Sequence, residues 1–430
     1  MIEPHSMVLP GGVRLLVGCA PHAGTCSVAV FVRWGSAHES ARTNGIGHVL
    51  EHMAFKGTAV EGPAGRRVRD ARQVNLEAER LGAEVNAHTD KDHTAFYMRG
   101  LPQHAGRMLQ MLAEIVLHPS LPADELERER QVLLQEFAED EDDPVSTAFK
   151  LFDKASFGLH PAAQPVMGTR RNLEHFTRDD LVAHRAAGYL AGNVVVGVVG
   201  AVRPEEMQRE AERAFAAMPA GAVAPVDEPP WRGEALTRAL EGSSQSHLVF
   251  GFPVPPRRAD DPVATVAAAL LGEGMSSPLL DRVRERRGLA YYTACSADVL
   301  DMCGQFVIEA SMAADDAVPL LREVMGLLHE HARHADPADL ERARQQLAVR
   351  SLRAQERGLR WLEDLALDWM ATRALRPEAE RLARLHAVSA ADVSAFFERL
   401  LRHPPALALT GAVARGMRDR LRKALDASLG

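Results

Sequence analysis

Gly45-Ile-Gly-His-Val-Leu-Glu-His-Met-Ala-Phe-Lys-Gly-Thr58 is the stretch from which the rest of the chain is read. Within it His48, Glu51 and His52 stand at i, i+3 and i+4. On a helix those positions share one face, so two imidazoles and a carboxylate are directed at one spot. Thr43 and Asn44 are the expected caps before this helix, and Gly57 is the expected stop after it. Two neutral imidazoles one turn apart suit Zn2+, which takes nitrogen ligands at about 2.0–2.1 Å. The glutamate between them then acts as a general base toward water rather than as a ligand. The competing reading is a solvated helix face, because three fixed positions in five also recur by chance.

Composition narrows the setting. The chain has 430 residues, 46% hydrophobic and 25% charged, as in an ordinary soluble globular protein of two or three domains. Its net charge of −8 and its lack of basic blocks argue against a nucleic-acid partner. No apolar run reaches membrane-spanning length, and Met1-Ile-Glu-Pro-His-Ser6 has no signal-peptide pattern, so no membrane role and a cytoplasmic location are expected. Cys19 and Cys26 flank one expected turn, and Cys295 and Cys303 another. Neither spacing is C-x2-C, and a reducing cytosol favours free thiols.

The sequence alternates strand and helix patterns around the central stretch. Residues 12–18 and 27–34 read as strands around the turn Pro21–Gly24. Val68–Leu81 reads as an amphipathic helix closed by Gly82, and 84–89 with 94–99 as a strand pair bent at Asp90–His93. Helices are expected at 105–117, 124–140, 181–189 and 204–217, with a buried strand at 193–199. Residues 219–231, rich in Pro, Ala and Gly, read as a linker. Beyond it the order repeats: strand 246–254, helix 261–272, strands 290–297 and 305–310, then helices at 315–333 and 337–356. A strand at 406–410 and polar helical sequence at 412–429 close the chain. Two similar α+β halves follow, spanning 1–218 and 232–430, the second without metal ligands.

A catalytic zinc normally has three protein ligands, so the first half must supply another. The acidic helix offers Glu125, Glu127, Glu129, Glu136 and Glu139. Glu129 and Glu136, seven residues apart, share a face and can serve one site. Taken alone, such an acidic run is more often a solvated face.

Further motifs stand in order around these residues: Trp34-Gly-Ser36, Leu81-Gly-Ala-Glu-Val-Asn-Ala-His-Thr89 and Glu127-Arg-Glu-Arg-Gln-Val-Leu-Leu-Gln-Glu136. Gly168-Thr169, Gly274-Met-Ser-Ser277 and Arg287-Gly-Leu-Ala-Tyr291 complete the series. With them the chain resembles, over nearly its whole length, the inverzincin metallopeptidases of the pitrilysin, insulinase and mitochondrial processing peptidase family. The match is to their two-domain bacterial subunits. The resemblance implies an α+β fold of two homologous α/β-sandwich domains of the LuxS/MPP-like type, with mixed, mainly antiparallel sheets and helices packed on one face. It implies one zinc per chain on His48, His52 and Glu136, Glu51 as base, and Glu129 as a supporting acid. An apparent insertion around 59–67 lengthens the spacing to Glu136 and leaves Glu129 as the alternative ligand. Glu84, Val85, Asn86, Ala87, His88 and Thr89 become the strand to which an extended peptide adds. Arg284 and Tyr291 become the pair that holds the substrate carbonyl. The family encloses its chamber with four domains, so a dimer is implied, either a homodimer or a heterodimer with a zinc-less sister subunit. The expected function is a zinc endopeptidase acting on peptides or unfolded segments, including processing of a precursor; the alternative is a non-catalytic structural or partner subunit.

Overall fold

The structure, a computed structural model, describes residues 2–61 and 65–429 and divides into two compact units. The first comprises Met1–Phe137, Gln164–Val226 and Arg353–Glu378. Its sheet has six strands: β1 (Pro4–Val8), β2 (Arg14–Cys19), β3 (Cys26–Val32), β6 (Glu84–Thr89), β7 (Thr94–Gly100) and β8 (Val194–Gly200). A separate small hairpin joins β4 (Gly57–Val60) to β5 (Arg67–Asp70). The sheet order is β1-β2-β8-β3-β7-β6, antiparallel throughout except for the parallel β2–β8 pair, so β6 is an edge strand.

The central strands β3 and β8 are buried along their whole length, and side-chain alternation divides each between two cores. Val28, Val30 and Val32 point into a core shared with helices α1 (Ile46–Ala54), α2 (Ala71–Arg80) and α3 (Ala105–Leu117). Leu126 and Leu133 of α4 (Ala123–Asp142) join that core. Ala29 and Phe31 point the other way, against Trp361, Leu362, Leu365, Ala366 and Met370 of the helix Gly358–Thr372. Strand glycines make room for this helix: a Cβ on Gly197 would lie 2.8 Å from Leu362 Cδ2. Each large apolar side chain buried there contributes about 1.5–3 kcal/mol. The helices expected on one face are thus joined by one on the other, drawn from far along the chain.

The second unit comprises Ala138–Ala163, Asp227–Leu352 and Ala379–Gly430. Its sheet, in the order β11-β12-β10-β13-β9, uses β9 (Ala235–Ala239), β10 (Ser246–Val254), β11 (Tyr292–Val299), β12 (Gly304–Met312) and β13 (Ala406–Gly411). One face packs on the helices Val263–Gly272, Ala317–Arg333, Ala390–Leu400 and Met417–Leu429. The other face is covered by α5 (Pro144–Phe157), through Ala148, Phe152 and Ala155. Each sheet therefore takes one covering helix from the opposite half of the sequence, and the compact units are not the contiguous spans 1–218 and 232–430. One of the five points where the chain passes between units, Val226/Asp227, lies inside the linker 219–231, which has no regular structure.

Local departures have local causes. Val68 is not helical but pairs with Ala59 in the hairpin. Asp70 starts α2 instead, accepting from the Gln73 backbone N–H while the Gln73 side chain accepts from the Asp70 N–H. The apparent insertion at 59–67 spans the end of β4 and the start of β5; its residues 62–64 lie outside the described residues. Gly57 does not stop α1, which ends at Ala54; it opens β4 at φ 132°. All four cysteines are thiols outside any disulfide. Among the described residues no helix is long and apolar enough to cross a membrane.

Candidate metal centre

Helix α1 presents His48 and His52 one turn apart, with ring centroids 4.6 Å from each other. Its start is not capped by Thr43 or Asn44. Gly45 occupies the N-cap at φ 98°, and the acceptor comes from Glu39, six residues upstream. Glu39 Oε2 accepts from the Gly45 N–H at 2.7 Å and Oε1 from the Gly47 N–H at 2.8 Å. The Asn44 amide adds a third bond to Oε2 at 3.1 Å and also donates to Pro165 O. A carboxylate there also answers the positive end of the helix dipole. Burial raises the Glu39 carboxyl to about 7, against these hydrogen bonds. Glycine is required at 45 and 168 because their backbones touch: a Cβ on Gly168 would lie 2.4 Å from Asn44 O. That contact accounts for the Gly168-Thr169 motif.

Helix α4 runs past the open side of the imidazoles. Leu126, Glu129, Leu133 and Glu136 form one stripe on it, with the first three buried. Glu136 Oε2 lies 3.5 Å from His52 Nε2 and 3.9 Å from His48 Nε2, and one ligand atom of each residue falls within 4.8 Å of the others. Tetrahedral zinc with bonds of about 2.0–2.2 Å needs ligand atoms roughly 3.3–3.6 Å apart, so the gap is of the right size. Glu129 lies elsewhere in the arrangement: its Oε1 is 2.9 Å from His52 Nδ1, and its Oε2 pairs with the Lys56 ammonium. Burial tends to raise the Glu129 carboxyl, but the hydrogen bonds and charges of Lys56 and His52 outweigh it and hold the group below its ordinary value. An ionised Glu129 takes the Nδ1–H of His52 and leaves the Nε2 lone pair for a metal. The donor set therefore fits zinc, and Glu136 rather than Glu129 faces both Nε2 atoms.

Glu51 lies on the same helix and packs toward β6, where the Thr89 hydroxyl donates to its Oε2 at 2.6 Å. Burial pushes its carboxyl above the ordinary range; the Thr89 bond and the imidazoles of His52 and His88 oppose this, and Glu136 adds to it. Along β6, Glu84 and Asn86 are exposed, Val85, His88 and Thr89 are half-buried, and Ala87 is buried. The Asn86 side chain accepts from the Ala87 N–H. Trp34-Gly-Ser36 supports the adjoining bend: the Ser36 N–H donates to Asp90 O, and the Trp34 indole donates to His184 Nε2 at 2.9 Å. Arg284 and Tyr291 belong to the second unit. Arg284 stands 3.6 Å from Glu285 in the short π-helix Asp281–Arg286, and Tyr291 is exposed just before β11.

The sequence reading missed Glu39, Lys56 and the hydroxyl of Thr89 as parts of the site. The available signal for Glu39 was weak, a lone acid in the turn before the helix. Lys56 is one turn beyond His52, a spacing that pairs it with α4 only after folding.

Two imidazoles and a carboxylate around one gap, with a buried glutamate alongside, are the donor set and base used by metal-dependent hydrolases. Comparison with known proteins gives the same class. The description "Insulinase (Peptidase family M16)" matches residues 15–170, and "Peptidase M16 inactive domain" matches 175–347. A protein of Rickettsia bellii named an uncharacterized zinc protease is 30% identical over 355 residues, 81% of this chain and 83% of that one. A Rickettsia felis protein of the same description is 28% identical, covering 90% and 92%. Among solved structures, a protease from Helicobacter pylori aligns with a TM-score of 0.85 at 20% identity, covering 95% of this chain and all of that one. A peptidase M16 inactive domain from Pseudomonas fluorescens aligns at 0.84 and 23%, covering 96% and 99%. The chain belongs to peptidase family M16.

Proposed function

We propose that this protein is a zinc-dependent endopeptidase with one catalytic zinc per chain, held by His48, His52 and Glu136. The observation that carries the reading is the convergence of two Nε2 atoms and Glu136 Oε2 on one gap, with Glu51 on the same helix. Zinc bound there would supply Lewis acidity, polarising the scissile carbonyl and acidifying water.

The remaining steps belong to side chains. Glu51 accepts the proton of the attacking water and returns it to the leaving amine; its raised proton affinity suits both transfers. Glu129 and Lys56 fix the tautomer and orientation of His52. The free edge of β6 pairs with an extended peptide backbone, which favours unfolded segments over folded proteins. Arg284 and Tyr291 hold the substrate carbonyl. Enclosing the peptide takes a dimer, a homodimer or one with a zinc-less sister, and precursor processing is the role that such a chamber serves. Four cysteines outside any disulfide suit the cytoplasm.

The test is Glu51→Gln. The variant should bind about one zinc at the His48 site as wild type does, and cleavage of an unstructured peptide should fall by at least about 10²–10⁴-fold. Retained turnover would remove Glu51 as base. Zinc binding without any cleavage by wild type, alone or with a sister subunit, would favour a non-catalytic partner role.

A further inference from the structure

A second group of imidazoles converges at the C-terminal end of β6. His88 is the penultimate residue of that strand, His93 closes the bend before β7, and Glu363 lies on the helix Gly358–Thr372. His88 Nε2 is 3.0 Å from Glu363 Oε1, and His93 Nε2 is 3.7 Å from the same oxygen. One ligand atom from each residue lies within 4.8 Å of the other two, and the imidazole rings meet edge-on at 5.4 Å.

Three features single this group out from an ordinary surface ion pair. His93 is 2% exposed, and its Nε2 has no hydrogen-bond partner although it points at Glu363. Its Nδ1 lies 2.7 Å from Oδ1 of Asp92, itself buried, so a neutral His93 that gives its Nδ1–H to Asp92 presents the Nε2 lone pair to the group; without a cation, Asp92 and Glu363 outweigh burial and raise this imidazole to about 9. A carboxylate on the far nitrogen is how metal-ligating imidazoles are commonly oriented. The oxygens of Glu363 are also divided: Arg360 Nη1 holds Oε2 at 3.2 Å, leaving Oε1 to the two imidazoles. A direct charged hydrogen bond from His93 would close to about 2.7–2.9 Å. The observed 3.7 Å is instead near the spacing of two ligands on one small cation, whereas His88 Nε2, at 3.0 Å, is at hydrogen-bond distance from Oε1 and would draw back by a few tenths of an ångström to share the ion.

We propose that His88, His93 and Glu363 form a second divalent-cation site, of the zinc class by its two nitrogens and one carboxylate oxygen. Half-exposed His88 leaves a side open to solvent, which completes the coordination. The cation pins the helix Gly358–Thr372 to the end of β6, one residue from the Thr89 hydroxyl that holds Glu51. The site is therefore structural, fixing the edge strand beside the first metal centre.

The experiment uses the full chain, stripped with chelator, re-equilibrated with zinc and desalted before metal analysis. Wild type should carry about two zinc ions and the His48→Ala/His52→Ala double variant about one. Adding Glu363→Gln or His88→Ala to the double variant should remove the last one. Cobalt(II) in the double variant should give the intense visible bands of a low-coordinate nitrogen and oxygen site, lost with either addition. Circular dichroism on each variant separates metal loss from unfolding, and half-exposed His88 provides the milder substitution. A double variant that binds no metal, or one whose metal survives both Glu363→Gln and His88→Ala, overturns the proposal. Wild type with one zinc that His48→Ala removes sinks this site and keeps the catalytic one. One zinc that survives His48→Ala/His52→Ala but not His88→Ala does the reverse.

Discussion

Replacing Glu39 by glutamine tests whether a buried carboxylate sets the start of the metal-binding helix. In the folded chain burial lifts this group to about 7 from an ordinary 4.5, although two glycine N–H groups and the Asn44 amide hydrogen-bond to it. A folded-state value above the unfolded one means that the fold binds the proton more tightly. The associated stability is complete below 4.5 and is lost as pH rises through 7. Between pH 5 and pH 8 the loss integrates to about 2.5 kcal/mol at 1.36 kcal/mol per pH unit. Glutamine does not titrate, so Glu39→Gln should lack this component. At low pH the variant should itself be weaker by about 1–3 kcal/mol, because an amide nitrogen now faces a glycine N–H. The assay is urea denaturation of metal-free protein at pH 5 and pH 8, metal being excluded because it stabilises the folded state. The quantity read is the difference between wild type and variant in the pH 5-to-8 change. Equal changes in the two proteins would refute the titration of Glu39. Unaltered zinc affinity in Glu39→Ala would refute its hold on the imidazoles.

The other expectations concern the groups around it. Glu129→Gln should weaken zinc binding by about 10–100-fold without abolishing it, since only the partner of His52 Nδ1 changes; competition against a chelator measures this. Thr89→Ala removes a hydrogen bond that lowers the Glu51 proton affinity, so the acidic limb of the kcat/KM profile should move to higher pH. No movement would mean that another group is the base. Trp361→Ala should destabilise the first unit by about 3–5 kcal/mol, although Trp361 lies far along the chain from that sheet; thermal unfolding reports it.

The metal-binding helix and its acids were legible in the sequence for a simple reason. His48, Glu51 and His52 are neighbours through helical periodicity, and Glu129 and Glu136 share a face by the same rule. Strands such as Cys26–Val32 and Val194–Gly200 announced themselves as apolar runs because both of their faces are buried. Only the tertiary structure decided which acid meets which nitrogen. A two-turn spacing cannot tell Nε2 from Nδ1, whereas the packing of α4 puts Glu136 at the first and Glu129 at the second. Only the tertiary structure also brought Glu39 to the start of α1, and sent Pro144–Phe157 and Gly358–Thr372 to the sheets of opposite halves. The physical reason is range. Periodicity reports contacts within a few turns, while a sheet buried on both faces recruits its second cover from any part of the chain with a matching apolar stripe.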